Sequence, residues 1–135
     1  MNNIESNLKL NKVYFTRLTF ERNDELKKTI ELNNDFNVEY YEISKNSNKV
    51  SIIYNAKSKD SSLKISAIIN GVFELANYEE MDEETIESIL KINSIAILFP
   101  YLRSQVVLLT SQLGMTPIQL PIINAELLYN ESLKK

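Results

Sequence analysis

The chain has few residues that could carry out chemistry, since it contains no cysteine and no histidine. It therefore cannot build a thiolate nucleophile, an imidazole acid–base catalyst, or a zinc site with thiolate or imidazole ligands. The densest set of ionisable side chains is an acidic run of Glu79, Glu80, Asp82, Glu83 and Glu84. This run lacks the spacing of an EF-hand loop, and consecutive acids are common at a helix start, where they complement the helix dipole. Carboxylates alone could still form an oxygen-only Ca²⁺ or Mg²⁺ site or an acid–base pair. Since the acidic run fits a helix start better, the sequence predicts no enzymatic activity, no cofactor and no metal site.

Two apolar features are stronger candidates for function. The adjacent Tyr40 and Tyr41 could form a binding surface, although packing is the more ordinary role for such a pair in a strand. The segment MTPIQLPII, residues 115–123, places apolar side chains on a chain stiffened by Pro117 and Pro121. Such a loop either covers the core or lines an exposed apolar surface, and both alternatives stay open at this point.

The composition predicts one folded domain over residues 1–135. With 44% apolar residues the chain can bury a core, and a net charge of −3 provides no basic surplus for binding nucleic acid. The N-terminus lacks the basic and apolar segments of a signal peptide. The densest apolar stretch, Ile95 to Leu102, is interrupted by Pro100 and is too short to span a bilayer. We therefore expect a cytoplasmic protein without membrane insertion.

Four strands are predicted in the first 75 residues from period-two patterns of apolar, β-branched and aromatic residues. Their ranges are Leu8 to Phe20, Phe36 to Ile43, Val50 to Ala56, and Leu63 to Leu75. The alternation in the first strand slips around Val13 to Phe15, which indicates a bulge or a two-sided contact. Residues 58–62 are typical of a hairpin turn. The fourth strand alternates most regularly and has one buried face, and Gly71 within it indicates a bulge or a close contact between backbones.

Helices are predicted in the remaining residues. Asp82 is a good N-cap for a short amphipathic helix that ends near Asn93. A second, longer helix is expected to have Pro100 near its first turn. One side of it carries an apolar stripe of Leu102, Val106, Leu109 and Leu113. Further apolar residues lie outside that stripe, so we expect this helix to be covered on more than one side. Asn124 can cap a last helix from Ala125 to about Leu133.

Beyond these patterns, the chain resembles the SecB family of export chaperones over almost its full length. The segment Ile97-Leu-Phe-Pro-Tyr-Leu-Arg103 resembles the family's ILFPYAR signature at the start of its long helix. The run from Gly114 to Tyr129 resembles the family's Gly-x-x-Pro-x-x-Leu-x-Pro segment, which leads into the last helix. Asn70-Gly-Val-Phe73 is similar to the family's Gly-Gly-hydrophobic-Phe, and Leu8 to Glu21 has the spacing of the first strand. The four matches occur in the family's order with matching gaps.

The resemblance implies an α+β fold in which a four-stranded antiparallel sheet is followed by helices, assembled as a dimer of dimers. It also implies ATP-independent binding of unfolded or non-native polypeptides, which would be preproteins or an antitoxin. In the family, such clients lie in apolar grooves formed by the second strand, the loop between the helices and the last helix. The corresponding client-binding residues here are Val38, Tyr40, Leu120, Ile122 and Leu127. The stripe Leu102, Val106, Leu109 and Leu113 would form the interface between subunits of a homotetramer.

The chain departs from the family where export SecB proteins dock the SecA motor. Those proteins use acidic residues on the flat face of the sheet, and only Glu21 is kept as a possible docking residue. Arg17 and Ser66 stand where the family has Asp and Glu, and the chain has Leu133-Lys-Lys135 where the family has an acidic tail. A reversal of charge would replace attraction by repulsion at such a surface. Three hypotheses remain: a general export chaperone, a chaperone that protects an antitoxin, and an adaptor of the same fold.

Overall fold

The computed structural model of the chain describes residues 7–23, 31–111, 116–121 and 123–133. Four strands come first: β1 (Leu8–Arg22), β2 (Leu32–Ser44), β3 (Ser47–Ser58) and β4 (Leu63–Leu75). A short 3₁₀ turn, Tyr78–Glu80, leads into the helices α1 (Glu83–Ser88), α2 (Ser94–Ser111) and α3 (Ala125–Leu133). The predicted sequence of strands followed by helices is confirmed.

The four strands form one antiparallel sheet in the order β1-β4-β3-β2, so that β1 and β2 are its edges. The predicted turn between β3 and β4 is present. Asp60 holds this turn, because its carboxylate accepts hydrogen bonds from the Ser62 amide at 3.0 Å and from the Ser58 hydroxyl at 2.8 Å. Ser61 adopts a left-handed conformation with φ of 62°. The short connection therefore aligns the two central strands of the sheet.

The irregularity predicted in β1 is also present. The pairing of β1 with β4 shifts register between Leu10 and Lys12 and again between Phe15 and Arg17, on either side of the expected slip. These two shifts keep a set of apolar residues with uneven spacing opposite the buried residues of β4. The set consists of Leu10, Val13, Phe15, Leu18 and Phe20.

The core lies between one face of the sheet, called the inner face below, and helix α2. The alternating residues of β4 from Leu63 to Leu75 are buried on this face, as the pattern predicted, and those of β3 from Val50 to Ala56 are buried beside them. Leu98 and Leu102 from α2 are fully buried against the sheet. Burying each such side chain contributes about 1.5–3 kcal/mol.

The predicted boundary between the first two helices is wrong. α1 and α2 belong to one continuous helix from Glu83 to Ser111, joined through a π-helical turn at Ile89–Asn93. Pro100 lies inside α2 rather than at a helix start. A proline removes only one helical hydrogen bond, and the carbonyl deprived of that bond belongs to Ala96, which is exposed to solvent together with Pro100. Packing of the neighbouring apolar residues against the sheet offsets this loss.

The helix is longer than the apolar stretch that the sequence analysis compared with the thickness of a bilayer. By length and composition alone, the helix from Glu83 to Ser111 is long and apolar enough to cross a bilayer, although Ile95 to Leu102 by itself is not. A helix that packs in the core of its own domain can have the same length and composition. Ile95, Leu98 and Leu102 of this helix are buried in such a core.

Gly71 is needed for the close approach of α2 to the sheet. A Cβ atom at this position would lie 2.7 Å from Cε2 of Phe73 and 3.0 Å from Cδ1 of Leu98, closer than such atoms pack. We expect Gly71→Ala to lower the free energy of unfolding by about 1–3 kcal/mol through overpacking, as measured by denaturant unfolding. In a Phe73→Leu background, which removes the ring, the same change should cost less. An equal loss in both backgrounds would contradict this explanation.

Candidate polypeptide-binding site

The candidate site begins with the inner face of the edge strand β2. Phe36, Val38 and Tyr40 lie on this face and are half-buried, as expected from their spacing. The Phe36 ring stacks on Tyr54 with centroids 5.0 Å apart and meets Phe99 of α2 edge-on at 5.6 Å. Because β2 is an edge strand, its inner side chains are covered on one side by the core and remain partly accessible on the other.

Tyr40 connects β2 to both helical segments above it. Its hydroxyl donates a hydrogen bond of 3.0 Å to the carbonyl of Lys91 in the π-helical turn, and its ring meets Tyr129 of α3 edge-on at 6.0 Å. The Lys91 ammonium lies 5.6 Å from the ring centroid. Burial, with a smaller contribution from Tyr129, raises the pKa of Tyr40 well above its usual value. The phenol therefore stays neutral and keeps its proton for this hydrogen bond.

The described part of the proline-containing loop lies on the core. The amide of Ile118 donates a hydrogen bond of 2.8 Å to the Thr110 hydroxyl, which ties the loop to the end of α2. Leu120 is only 3% exposed, while Ile118 and Ile123 are half-buried. Of the two alternatives left open by the sequence, Leu120 thus follows the first and covers the core. Ile122 lies outside the described residues.

Helix α3 forms the other side of the candidate site. The Asn124 side chain accepts a hydrogen bond of 3.1 Å from the Leu127 amide, so the predicted cap is present. Leu128 is buried, and the helix packs against β2 and the π-helical turn. Leu127 is 61% exposed and presents its side chain to solvent. A leucine this exposed contributes little to the core and is available for contact with another molecule.

The structure therefore brings together only part of the predicted client-binding set. Val38 and Tyr40 lie on the inner face of β2, and Tyr40 contacts α3 through Tyr129. Leu127 lies on the exposed side of α3, and Leu120 is in the core. One further residue, Tyr129, was missed by sequence reasoning, although it continues the helical spacing of α3 from Ala125. We call the partly open apolar residues of β2 and α3 the β2–α3 surface: Val38, Tyr40, Leu127 and Tyr129.

The predicted interface stripe of α2 requires a correction. Leu102 and Val106 are fully buried within the chain, against its own sheet, and Leu109 is half-buried. Leu113 lies outside the described residues. The large apolar residues of α2 that remain exposed are Tyr101 and Leu108. A helix turns its most regular apolar stripe to its own core, which leaves the less regular side for any contact between subunits.

The opposite face of the sheet, the outer face, contains the positions related to motor docking. Glu21 pairs with Lys64, and Arg17 pairs with Ile68 across the β1–β4 ladder, on the outer face. Near the centre of this face Asn70 is buried. It accepts a hydrogen bond of 2.6 Å from the Ser51 hydroxyl and donates one of 3.1 Å to Thr16. This face is separated from the β2–α3 surface by the thickness of the sheet.

Fold and site together define an α+β protein with a partly open apolar surface at a sheet edge. Among the described residues, no cluster of acidic side chains is arranged to hold a metal ion. A family model described as preprotein translocase subunit SecB matches residues 1–135. The chain belongs to the SecB family.

Two relatives are informative. The protein-export protein SecB of Anaplasma phagocytophilum is 35% identical over 63 residues, which make up 47% of this chain and 40% of that protein's length. A solved structure of a Mycobacterium tuberculosis SecB-like chaperone, in complex with a ChAD peptide from the HigA1 antitoxin, is also similar. It superimposes with a TM-score of 0.64 at 19% identity and covers 87% of this chain and 88% of that chain. This likeness confirms the predicted α+β fold.

Proposed function

We propose that the chain is an ATP-independent chaperone that binds unfolded or non-native polypeptides at the β2–α3 surface. The observation that carries this proposal is a set of apolar side chains left partly open between an edge strand and a helix. Membership of the SecB family supports the same function, and the sequence contains neither a thiol nor an imidazole for catalysis. We accordingly assign it no enzymatic activity and a cytoplasmic location.

Binding at such a surface needs no chemical step. Unfolded segments expose apolar side chains at intervals, and burial of their surface yields about 25 cal/mol per Å². Aromatic side chains such as Tyr40 and Tyr129 accept partners of many shapes, which favours broad specificity. A single contact of this kind is weak. We propose a homotetramer, a dimer of dimers, because several surfaces on one assembly would multiply weak contacts through effective concentration.

The proposal is tested by diluting a chemically unfolded polypeptide into buffer that contains the chain and no ATP. We expect light scattering from aggregates to fall as the molar ratio of chain to polypeptide rises. An equal mass of serum albumin controls for unspecific protection. Scattering as high as in the albumin sample would contradict chaperone activity and favour an adaptor function for the fold.

A second candidate function is protection of an antitoxin within a toxin–antitoxin–chaperone system. Arg17 and Ser66 favour it, since they stand on the outer face where export SecB proteins present acidic residues to SecA. Surface plasmon resonance with immobilised SecA separates the two functions. We expect weaker binding by the natural chain than by an Arg17→Asp, Ser66→Glu variant, because the variant restores attraction. Binding of SecA by the natural chain that is as tight as binding by the variant would favour preprotein export instead, whereas no binding by either protein would argue against export.

A further inference from the structure

A separate cavity lies where the hairpin between β2 and β3 meets α1 and the π-helical turn. Its volume is about 340 Å³, at the low end of the range of about 300–1,000 Å³ for small-ligand sites. Buried Ile86 and Leu90 form an apolar wall, and Tyr40 lines the same space. The polar part of the lining includes Asn48, Glu42 and Glu83. A cavity of this size suits one long side chain rather than a folded segment.

Asn48 is the unusual residue of this cavity. It occupies the inner face of β3, opposite Phe73 of β4, and is 5% exposed. The next inner-face positions of the same strand, from Val50 to Ala56, are apolar. Among the described residues, Asn48 Oδ1 is the one buried side-chain oxygen or nitrogen without a hydrogen-bond partner. Leaving a buried acceptor unpaired costs stability, and Asn48 lines the cavity, so a turn of its amide toward that space would let a bound ligand donate to it.

The charges around the cavity indicate the sign of that ligand. The Lys91 ammonium is paired with the Glu87 carboxylate at 2.8 Å. Glu42 and Glu83 form no ion pair with any described residue. Among the described residues that line the cavity, the exposed Lys45 on the hairpin turn is the one cation without an ion-pair partner. The cavity thus carries an excess of negative charge beside an unsatisfied acceptor. Both features favour a cationic hydrogen-bond donor.

We infer that this cavity is a subsite for the arginine side chain of a bound polypeptide, with the guanidinium at Asn48, Glu42 and Glu83. Arginine fits best because its apolar stem can lie on Ile86 and Leu90. Its planar head is weakly hydrated, stacks on aromatic rings and offers five donors. Tyr40 belongs to both the cavity and the β2–α3 surface, so a segment crossing this tyrosine can place a side chain in the cavity. The inference rests on the proposed chaperone function.

The test uses short fluorescent peptides of Leu, Tyr, Ser and Gly that differ at one central position, which is arginine, citrulline or norleucine. Citrulline keeps the shape of arginine without its charge. Fluorescence anisotropy with the natural chain should show about tenfold tighter binding of the arginine peptide than of the citrulline peptide. In Asn48→Leu and in Glu42→Gln this ratio should fall close to one. The norleucine peptide should bind all three proteins equally.

Glu39→Gln is the matched control, since Glu39 lies on the same strand as Glu42 but on the outer face. It should keep the preference for arginine. A natural chain that binds the peptides without preferring arginine would overturn the subsite and leave the chaperone function standing. Equal loss of preference in Glu39→Gln would overturn it as well, since general charge would then be the cause.

A second measurement separates the subsite from the groove. N-acetyl-argininamide, a free source of the same guanidinium, is added to the natural chain and to Asn48→Leu, and the melting temperatures are compared. If no peptide binds, the chaperone function fails, but stabilisation of the natural chain alone by this compound still supports a guanidinium site. Absence of both peptide binding and stabilisation overturns both proposals.

Discussion

Val106→Asp is expected to unfold the chain. Val106 has no exposed surface and lies in the core between α2 and the sheet. An isolated carboxylate there has no partner to compensate its lost hydration, which costs several kcal/mol or is avoided by unfolding. That loss is comparable with the total stability of about 5–15 kcal/mol of a typical domain. Circular dichroism should show no cooperative thermal transition, or one at a strongly reduced temperature.

Leu108→Asp is the matched control on the same helix. Leu108 is 53% exposed, so a carboxylate at this position stays hydrated and the melting temperature should change little. If the exposed side of α2 contacts a second subunit, this variant should also shift light scattering to a smaller assembly. A folded, dissociated Val106→Asp variant would show instead that the stripe Leu102 to Leu113 is an interface.

The exposed Leu127 of the β2–α3 surface and the buried Leu120 should respond differently to the same substitution. Leu127→Ser should weaken suppression of aggregation while the melting temperature stays close to that of the natural chain, because an exposed leucine leaves no cavity. Leu120→Ser should lower the free energy of unfolding by about 2–5 kcal/mol, since a buried large side chain is lost. Thermal melting and light scattering on the same preparations provide both values. Full activity of Leu127→Ser would contradict the assignment of α3 to the site.

The strands could be predicted because their local patterns agree with their tertiary environment. β4 is the clearest case: its residues alternate regularly from Leu63 to Leu75, and a central strand with one face on the core requires that alternation. The caps are equally local. Asp82 accepts a hydrogen bond of 2.7 Å from the Thr85 amide, as its position before two glutamates predicts.

The errors arose where a residue's role depends on distant packing. Pro100 is a typical helix start, yet contacts of α2 with the sheet outweigh the one hydrogen bond that it removes. The stripe with Leu102 and Val106 has the spacing of a buried face, but spacing does not distinguish the chain's own core from a subunit interface. The same holds for Leu120. Its apolar side chain predicts burial, but the sequence does not show whether it packs on the core or lines an open surface.

Asn48 shows what a sequence pattern can reveal only after the fold is available. A single polar residue at the start of an apolar alternation is ordinary at a strand end. It became informative when the structure placed it on a cavity wall, buried and without a donor. Glu42 and Glu83 are far apart in the sequence, and only the fold brings them to the lining of the same cavity.

Photo-crosslinking to an unfolded polypeptide shows most directly where a client binds. A benzophenone amino acid is introduced at Leu127 on α3 in one protein and at Tyr41 on the outer face of β2 in another; both positions are exposed. Tyr41 follows Tyr40 in the sequence but points to the opposite side of the sheet. We expect crosslinks from position 127 and few from position 41. Crosslinks mainly from position 41, or equally from both positions, would contradict client binding at the β2–α3 surface.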